Sequence, residues 1–158
     1  CLAPEMLPTS LIIPTYNPGP RDVEVLLEAL AAQTRAPDEL LVIDSGSSDG
    51  TPALWRAAGA HFISIEQRSF DHGGTRNQAA RAARGDLLAF ITQDALPAHR
   101  EWFERLVAPL ESGQAEATYG RQLPRPEASP LEAFARRFNY PEHSAYKRRA
   151  DVERLGVK

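Results

Sequence analysis

Residues 84–97 read RGDLLAFITQDALP, and the rest of the chain is best read outward from them. Gly85 interrupts whatever precedes it, and residues 87–91 (LLAFI) are apolar without alternation. A run of that length suits a strand buried on both faces of a parallel sheet. It stops abruptly at Thr92, Gln93 and Asp94, and Pro97 keeps the strand from continuing. In open α/β sheets the ligand crevice lies just beyond the carboxyl ends of the strands, so an acid delivered there is a candidate binding group. Standing alone, Asp94 would serve equally well as the cap of a helix opening near Pro97.

The preceding chain repeats the same device. Residues 11–14 (LIIP) predict a strand that ends at Thr15, Tyr16 and Asn17, followed by a Pro18-Gly19-Pro20 break. Pro20 suits a first helical position, and Val23, Leu26, Leu27, Leu30 and Ala31 recur at helical spacing to about Gln33. Residues 40–43 (LLVI) predict a second strand, ending in Asp44 and the polar loop Ser45–Gly50. Thr51 is read as the cap of a short helix with Pro52 at its start and Gly59 past its end. Residues 61–65 (HFISI) predict a third strand, and a helix over about 75–84 then leads back to 87–91.

After Asp94 the pattern continues less regularly. Trp102, Phe103, Leu106, Val107 and Leu110 share a helical face, and residues 115–119 read as a weaker strand. Ser129-Pro130-Leu131-Glu132 has the form of a capping box opening an amphipathic helix with Leu131, Phe134 and Phe138. That helix is expected to expose its apolar side, which suggests pairing across two chains. The tail from Lys147 to Lys158 is charged and shows no stop signal.

Strand and helix in alternation predict an α/β fold, a mostly parallel sheet between helices in three layers. Right-handed crossovers restrict the topology; if strands one to three wind outward and strand four returns beside strand one, the strand order is 3-2-1-4. In that order the ends of strands one, two and four bring Thr15/Asn17, Asp44 and Gln93/Asp94 to one crevice.

Composition narrows the function. The chain has 158 residues, enough for one domain. Its net charge of −3 argues against a general nucleic-acid surface, so an anionic ligand needs local positive groups. No apolar run approaches a membrane span and no secretory signal is visible, so a cytoplasmic location is expected. Cys1 is the one cysteine, which excludes a disulfide framework and a cysteine metal site. With no Met at position 1, it reads as an arbitrary boundary rather than a lipidated end. The chain lacks G-x-G-x-x-G, a Walker loop, H-E-x-x-H and G-x-S-x-G, and its four histidines lack metal-ligand spacing.

The remaining polar groups suit a nucleoside diphosphate sugar. Asp44 can accept a bond from the imide N–H of a pyrimidine, or cap its own turn. Gly73-Gly74-Thr75-Arg76 offers a flexible loop and a guanidinium at a helix start, a pairing that favours phosphate. Asn77 and Gln93 can bond a ribose or sugar hydroxyl. Asp94 can hold a divalent cation, with diphosphate and water completing the shell.

The stretches LIIPTYNPG, ELLVIDSGSSDGT, FDHGGTRNQA and GDLLAFITQDALP resemble the successive motifs of family 2 glycosyltransferases of the GT-A fold. HGGTRN with TQDA, followed by YGRQLPRPEASPLEAFARRFNYP, is similar to the bacterial rhamnosyltransferase branch. The resemblance implies an inverting transferase that uses Mg or Mn and a nucleotide sugar, dTDP-L-rhamnose or a UDP-sugar. Its acceptor would be a glycan or a lipid-linked sugar, met in the cytoplasm at the inner face of the plasma membrane. By motif position, Pro14, Thr15, Tyr16, Asn17, Asp44 and Ser45 would meet the base and ribose. Gly74, Arg76, Asn77 and Gln93 would meet the ribose or diphosphate, and Asp94 the metal.

Two departures stand out. The family's acidic signature is Thr92-Gln93-Asp94-Ala95 here, with a single acid. No later segment matches the motif that carries the family's general base, and Glu142 and Asp151 lie in unrelated surroundings. Residues 1–158 are therefore expected to form a single donor-binding domain lacking the acceptor and base half. The rival readings are a sugar nucleotidyltransferase and a non-catalytic binding or interaction module. The first lacks a glycine- and arginine-rich phosphate loop after strand one.

Overall fold

The architecture comes from a computed structural model that describes residues 6–151 and residue 153. Cys1 and the end of the charged tail lie outside the described residues. Four strands form one sheet: β1 (Thr9–Thr15), β2 (Glu39–Asp44), β3 (His61–Ser64) and β4 (Leu87–Phe90). Their order is β3-β2-β1-β4 and every pairing is parallel, as the sequence predicts. Thr15 pairs with Asp44, so the two polar strand ends lie side by side.

Alternation along the strands divides the core in two. Leu11, Ile13, Val42, Ala89 and Ile91 face α1 (Pro20–Ala31), α2 (Thr51–Ala57) and α4 (Trp102–Glu111). Val23, Leu26, Trp55, Phe103 and Val107 pack there and are essentially buried. Ile12, Leu41 and Ile43 face the other way, against Ala79 of α3 (His72–Ala82). This is the expected three-layer α/β/α arrangement.

Four local expectations change. Residues 115–119 form no strand; Thr118 Oγ1 instead donates to the Leu106 carbonyl at 2.7 Å. α3 begins at His72 rather than Thr75, because Asp71 caps it. Thr51 lies inside α2 without capping it, and its N–H and hydroxyl both donate to Asp49 Oδ1. β4 is not buried on both faces. It is an edge among the described strands, and Leu88 and Phe90 are 37% and 42% exposed on the α3 side. A buried run and a half-covered edge run have the same apolar composition, so their neighbours decide between them.

The amino end of the sheet is held by charge. Arg35 donates to both carboxylate oxygens of Glu111, at 2.6 and 2.8 Å, and Glu111 also accepts from Leu7 N at 3.0 Å. The Arg35 hydrogen bond, then the Leu7 N–H, holds the Glu111 carboxyl below its ordinary value of 4.5. Thr9 does the same for Asp38 through its hydroxyl and N–H. A carboxyl lowered in the folded state stabilises it at pH values above its unfolded value. That contribution fades as pH falls through the folded value. Thermal stability should therefore drop below about pH 4.5 in a Glu111-dependent way. Glu111→Gln is expected to cost about 2 kcal/mol at neutral pH and to flatten that acid limb. Melting curves between pH 7 and 3 test this, and an unchanged acid limb in the variant would assign the loss to other carboxylates.

Candidate nucleotide-sugar site

The carboxyl end of the sheet is organised by hydrogen bonds between loops far apart in the chain. Gln93 is the link between β4 and β1. Its Oε1 accepts from Thr15 Oγ1 at 2.9 Å and from Tyr16 N at 2.7 Å, and its Nε2 donates to Tyr16 O at 3.2 Å. Gln93 thus spends its amide on the β1 loop, and a sugar hydroxyl would have to compete for it. Removing these three bonds by Gln93→Ala should destabilise the protein by about 2 kcal/mol in urea unfolding, at roughly 1 kcal/mol or less for each bond. A loss below about 0.5 kcal/mol would show that the linkage carries little of the loop's order.

The loops after β1 and β2 are fastened to each other. Asn17, at φ 42°, donates from its N–H to Ser47 Oγ and accepts from Ser48 N, both at 2.8 Å. Ser47 Oγ donates in turn to Asp44 Oδ1 at 2.5 Å. Asp44 Oδ2 accepts from the N–H groups of Gly46 and Ser47. Asp44 is only 2% exposed, so its carboxylate organises its own turn and a base reaches it only if that turn opens. Beside it, Ser45 is 3% exposed and its hydroxyl has no hydrogen-bond partner among the described residues. Gly19 N donates to Asp49 Oδ2 at 2.8 Å, which ties the start of α1 to the same loop. Burial would raise the Asp49 carboxyl, but the bonds from Thr51 and Gly19 outweigh it and lower the value.

Pro14 is half-buried and Thr15 is buried within β1, whereas Tyr16 is 41% exposed. Tyr16 therefore offers an exposed aromatic surface at this end of the sheet, the kind of group on which a flat base can stack.

α3 follows the carboxyl end of β3, so its first turn lies at this same end of the sheet. Gly73 and Gly74 belong to that turn rather than to a flexible loop. Asp71 Oδ1 accepts from both of their N–H groups, at 3.0 and 2.6 Å. A Cβ on Gly74 would sit 2.2 Å from Asp71 Oδ2, which accounts for the glycine. The helix N-terminus already holds a carboxylate, so a diphosphate does not find these two amides free. Arg76 Nη1 donates to the His72 carbonyl at 2.9 Å, and Asn77 is exposed.

Asp94 differs from Asp44 and Asp71. It is exposed, and among the described residues no hydrogen bond or ion pair engages its carboxylate. It does not cap α4, which starts at Trp102. Its main-chain carbonyl accepts from Arg125 Nη2, which brings a cation from the segment after α4. Sequence reasoning missed Arg125, Asp49 and Asp71. The two acids carried a readable cap signal, each standing just ahead of a helix start. Arg125 carried none, because its contact spans 31 residues.

A divalent cation fits this arrangement in one way. No group of three or more His, Cys, Asp or Glu residues able to hold a metal exists among the described residues. Asp94 is a free hard-oxygen donor facing solvent, so it can share a cation with a ligand that brings further oxygens.

Residues 10–157 match the family described as Glycosyl transferase family 2. The O-antigen chain rhamnosyltransferase RfbN of Salmonella typhimurium is 44% identical over 151 residues, 94% of this chain and 48% of that protein. The O-antigen chain rhamnosyltransferase WbaN of Salmonella anatum is 37% identical over 150 residues, with the same coverage of both. The chain thus spans about half the length of these curated relatives. Among solved structures, glucosyl-3-phosphoglycerate synthase from Mycobacterium tuberculosis, in complex with Mn2+, UDP and glucosyl-3-phosphoglycerate, has a TM-score of 0.54 at 28% identity. That match covers 67% of this chain and 40% of the other. S. aureus TarS has a TM-score of 0.58 at 25% identity, covering 74% and 23%.

Proposed function

This chain belongs to glycosyltransferase family 2, and from that premise we propose that it is the donor-binding domain of an inverting transferase. The donor is dTDP-L-rhamnose or a UDP-sugar, and the acceptor is a glycan or a lipid-linked sugar. The named relatives support the sugar, since both are O-antigen rhamnosyltransferases. The observation that carries the reading is Asp94, an exposed and unengaged carboxylate at the end of β4, beside the β1 loop that Gln93 holds in place.

In this reading Asp94 would hold one Mg or Mn ion together with the donor diphosphate, and the ion would supply positive charge for the leaving group. The acceptor oxygen forms its bond to the anomeric carbon as the bond to the diphosphate oxygen breaks. Tyr16 offers a ring against the base, with Pro14, Thr15, Asn17, Asp44 and Ser45 shaping that end of the crevice. Arg76, from the Gly74–Asn77 turn of α3, and Arg125 supply positive charge for the phosphates. The acceptor proton needs a general base, and we assign no residue of this chain to that role. Residues 1–158 act as one donor-binding domain, and the chain spans about half the length of the curated relatives. The protein works on the cytoplasmic side of the plasma membrane.

The test is a thermal-shift series with dTDP and UDP, with and without manganese. At a hundred times the dissociation constant the native state gains about 2.7 kcal/mol, a shift of several degrees. The expected result is a shift that requires manganese. No shift with either nucleotide would leave a non-catalytic module as the better description.

A further inference from the structure

Charge and apolar exposure are distributed unevenly along the chain. Residues 1–119 hold nine Lys and Arg against sixteen Asp and Glu, whereas residues 120–158 hold nine against five. The α/β body is therefore at −7 and the segment after it at +4. Among the described residues, the same segment carries five of the seven large apolar side chains that are more than half exposed: Leu123 (52%), Leu131 (77%), Phe134 (64%), Phe138 (69%) and Tyr146 (63%).

The helix α5 (Pro130–Asn139) concentrates both features. Ser129 Oγ accepts from Glu132 N at 3.3 Å and starts it. Leu131, Phe134 and Phe138 recur at i, i+3 and i+7 on one side, and the two phenylalanine rings stack at 5.9 Å. Ala133 and Arg136 are half-buried, so the helix turns its small and polar side inward and its apolar side out. Arg121 Nε holds its carboxyl end through the Tyr140 carbonyl at 3.1 Å. Exposed Arg137, Lys147, Arg148 and Arg149 lie on or just after it.

We propose that this face lies in the surface of an anionic lipid bilayer, with the Leu131–Phe134–Phe138 side in the headgroup–acyl boundary and the basic residues against lipid phosphates. An outward apolar stripe flanked by cations is the pattern of an interfacial helix. A second copy is a poorer occupant. One leucine and two phenylalanines offer about 500 Å² per chain, short of the roughly 800 Å² per partner of a stable interface. Two such faces would also bring like charges together. The proposal adds a surface to the membrane-side location given above, and it does not depend on nucleotide binding.

Flotation of the intact protein with phosphatidylcholine vesicles, and with vesicles in which phosphatidylglycerol replaces a third of the lipid, tests it. Binding is expected with the anionic vesicles alone and should weaken as salt rises. Phe134→Ser/Phe138→Ser should reduce it about tenfold or more, and Arg148→Gln/Arg149→Gln by roughly fivefold per charge. Both pairs are exposed, so their melting temperatures should match the parent protein. Asp94→Ala should float like the parent even where it no longer binds nucleotide, which separates failure of this proposal from failure of the functional reading. Absence of flotation would overturn the proposal. So would flotation indifferent to the phenylalanines, a phenylalanine-dependent dimer in sedimentation, or equal binding of RNA by the basic segment.

Discussion

Gly85→Ala is expected to destabilise the protein by about 3 kcal/mol or more, a large fraction of the roughly 5–15 kcal/mol that holds a domain folded. A Cβ at this position would lie 2.5 Å from Ser10 N, 2.6 Å from the Thr9 carbonyl carbon and 2.8 Å from Ser10 Oγ. Two of these three are backbone atoms of β1, the central strand to which both β2 and β4 pair. They cannot turn aside as a side chain can, so β4 must shift or the sheet must part. Gly85 N also donates to Ser10 Oγ at 2.8 Å, and a shift would strain that bond. Gly73→Ala is the matched control. Its Cβ would meet Asp71 Oδ1 at an ordinary 3.6 Å inside a helix, and alanine there should be neutral or stabilising by up to about 1 kcal/mol. Urea unfolding of both variants checks this, and equal stabilities would show that β1 can yield at Ser10.

Asp94→Asn should abolish manganese-assisted nucleotide binding, weakening it by about a hundredfold or more, while the melting temperature without ligand stays within a degree or two. Losing a residue that merely orients a metal ligand costs about 10- to 100-fold, and a direct ligand should cost at least as much. The asymmetry follows from the geometry. The Asp94 carboxylate is exposed and engages no partner among the described residues, so its removal breaks nothing in the fold. Asp44→Asn should behave in the opposite way. Its carboxylate accepts three hydrogen bonds within a buried turn, and the stability of the free protein should fall first. Calorimetric titration of dTDP and UDP with manganese, beside melting curves of the free variants, separates the two. If Asp94→Asn binds as the parent does, the cation is held elsewhere and the reading built on Asp94 fails.

The two acids show how far residue patterns reach into this site. Both end an apolar run, and by sequence alone both are equal candidates for ligand contact. Asp44 is followed by a loop whose amides and hydroxyl fold back on it, whereas Asp94 is followed by a turn that leaves it alone. Gln93 was legible as a polar residue at a strand end. Its partners, Thr15 and Tyr16, lie more than 75 residues away and become its neighbours only when β4 pairs beside β1. Arg125 reaches Asp94 from an irregular segment 31 residues further along the chain.

Apolar runs of strand length, separated by helical periodicity, were sufficient by themselves to determine a parallel α/β sheet, and the order β3-β2-β1-β4 followed once strand four was taken to return beside strand one. Local propensity, short connections and right-handed crossovers all act along the chain, so a linear reading recovers them. Tertiary structure alone decided which polar groups remain open to a ligand, which glycine must stay bare, and which apolar faces look outward. Each of those depends on atoms brought together from distant parts of the chain, and a linear pattern carries no record of such a meeting.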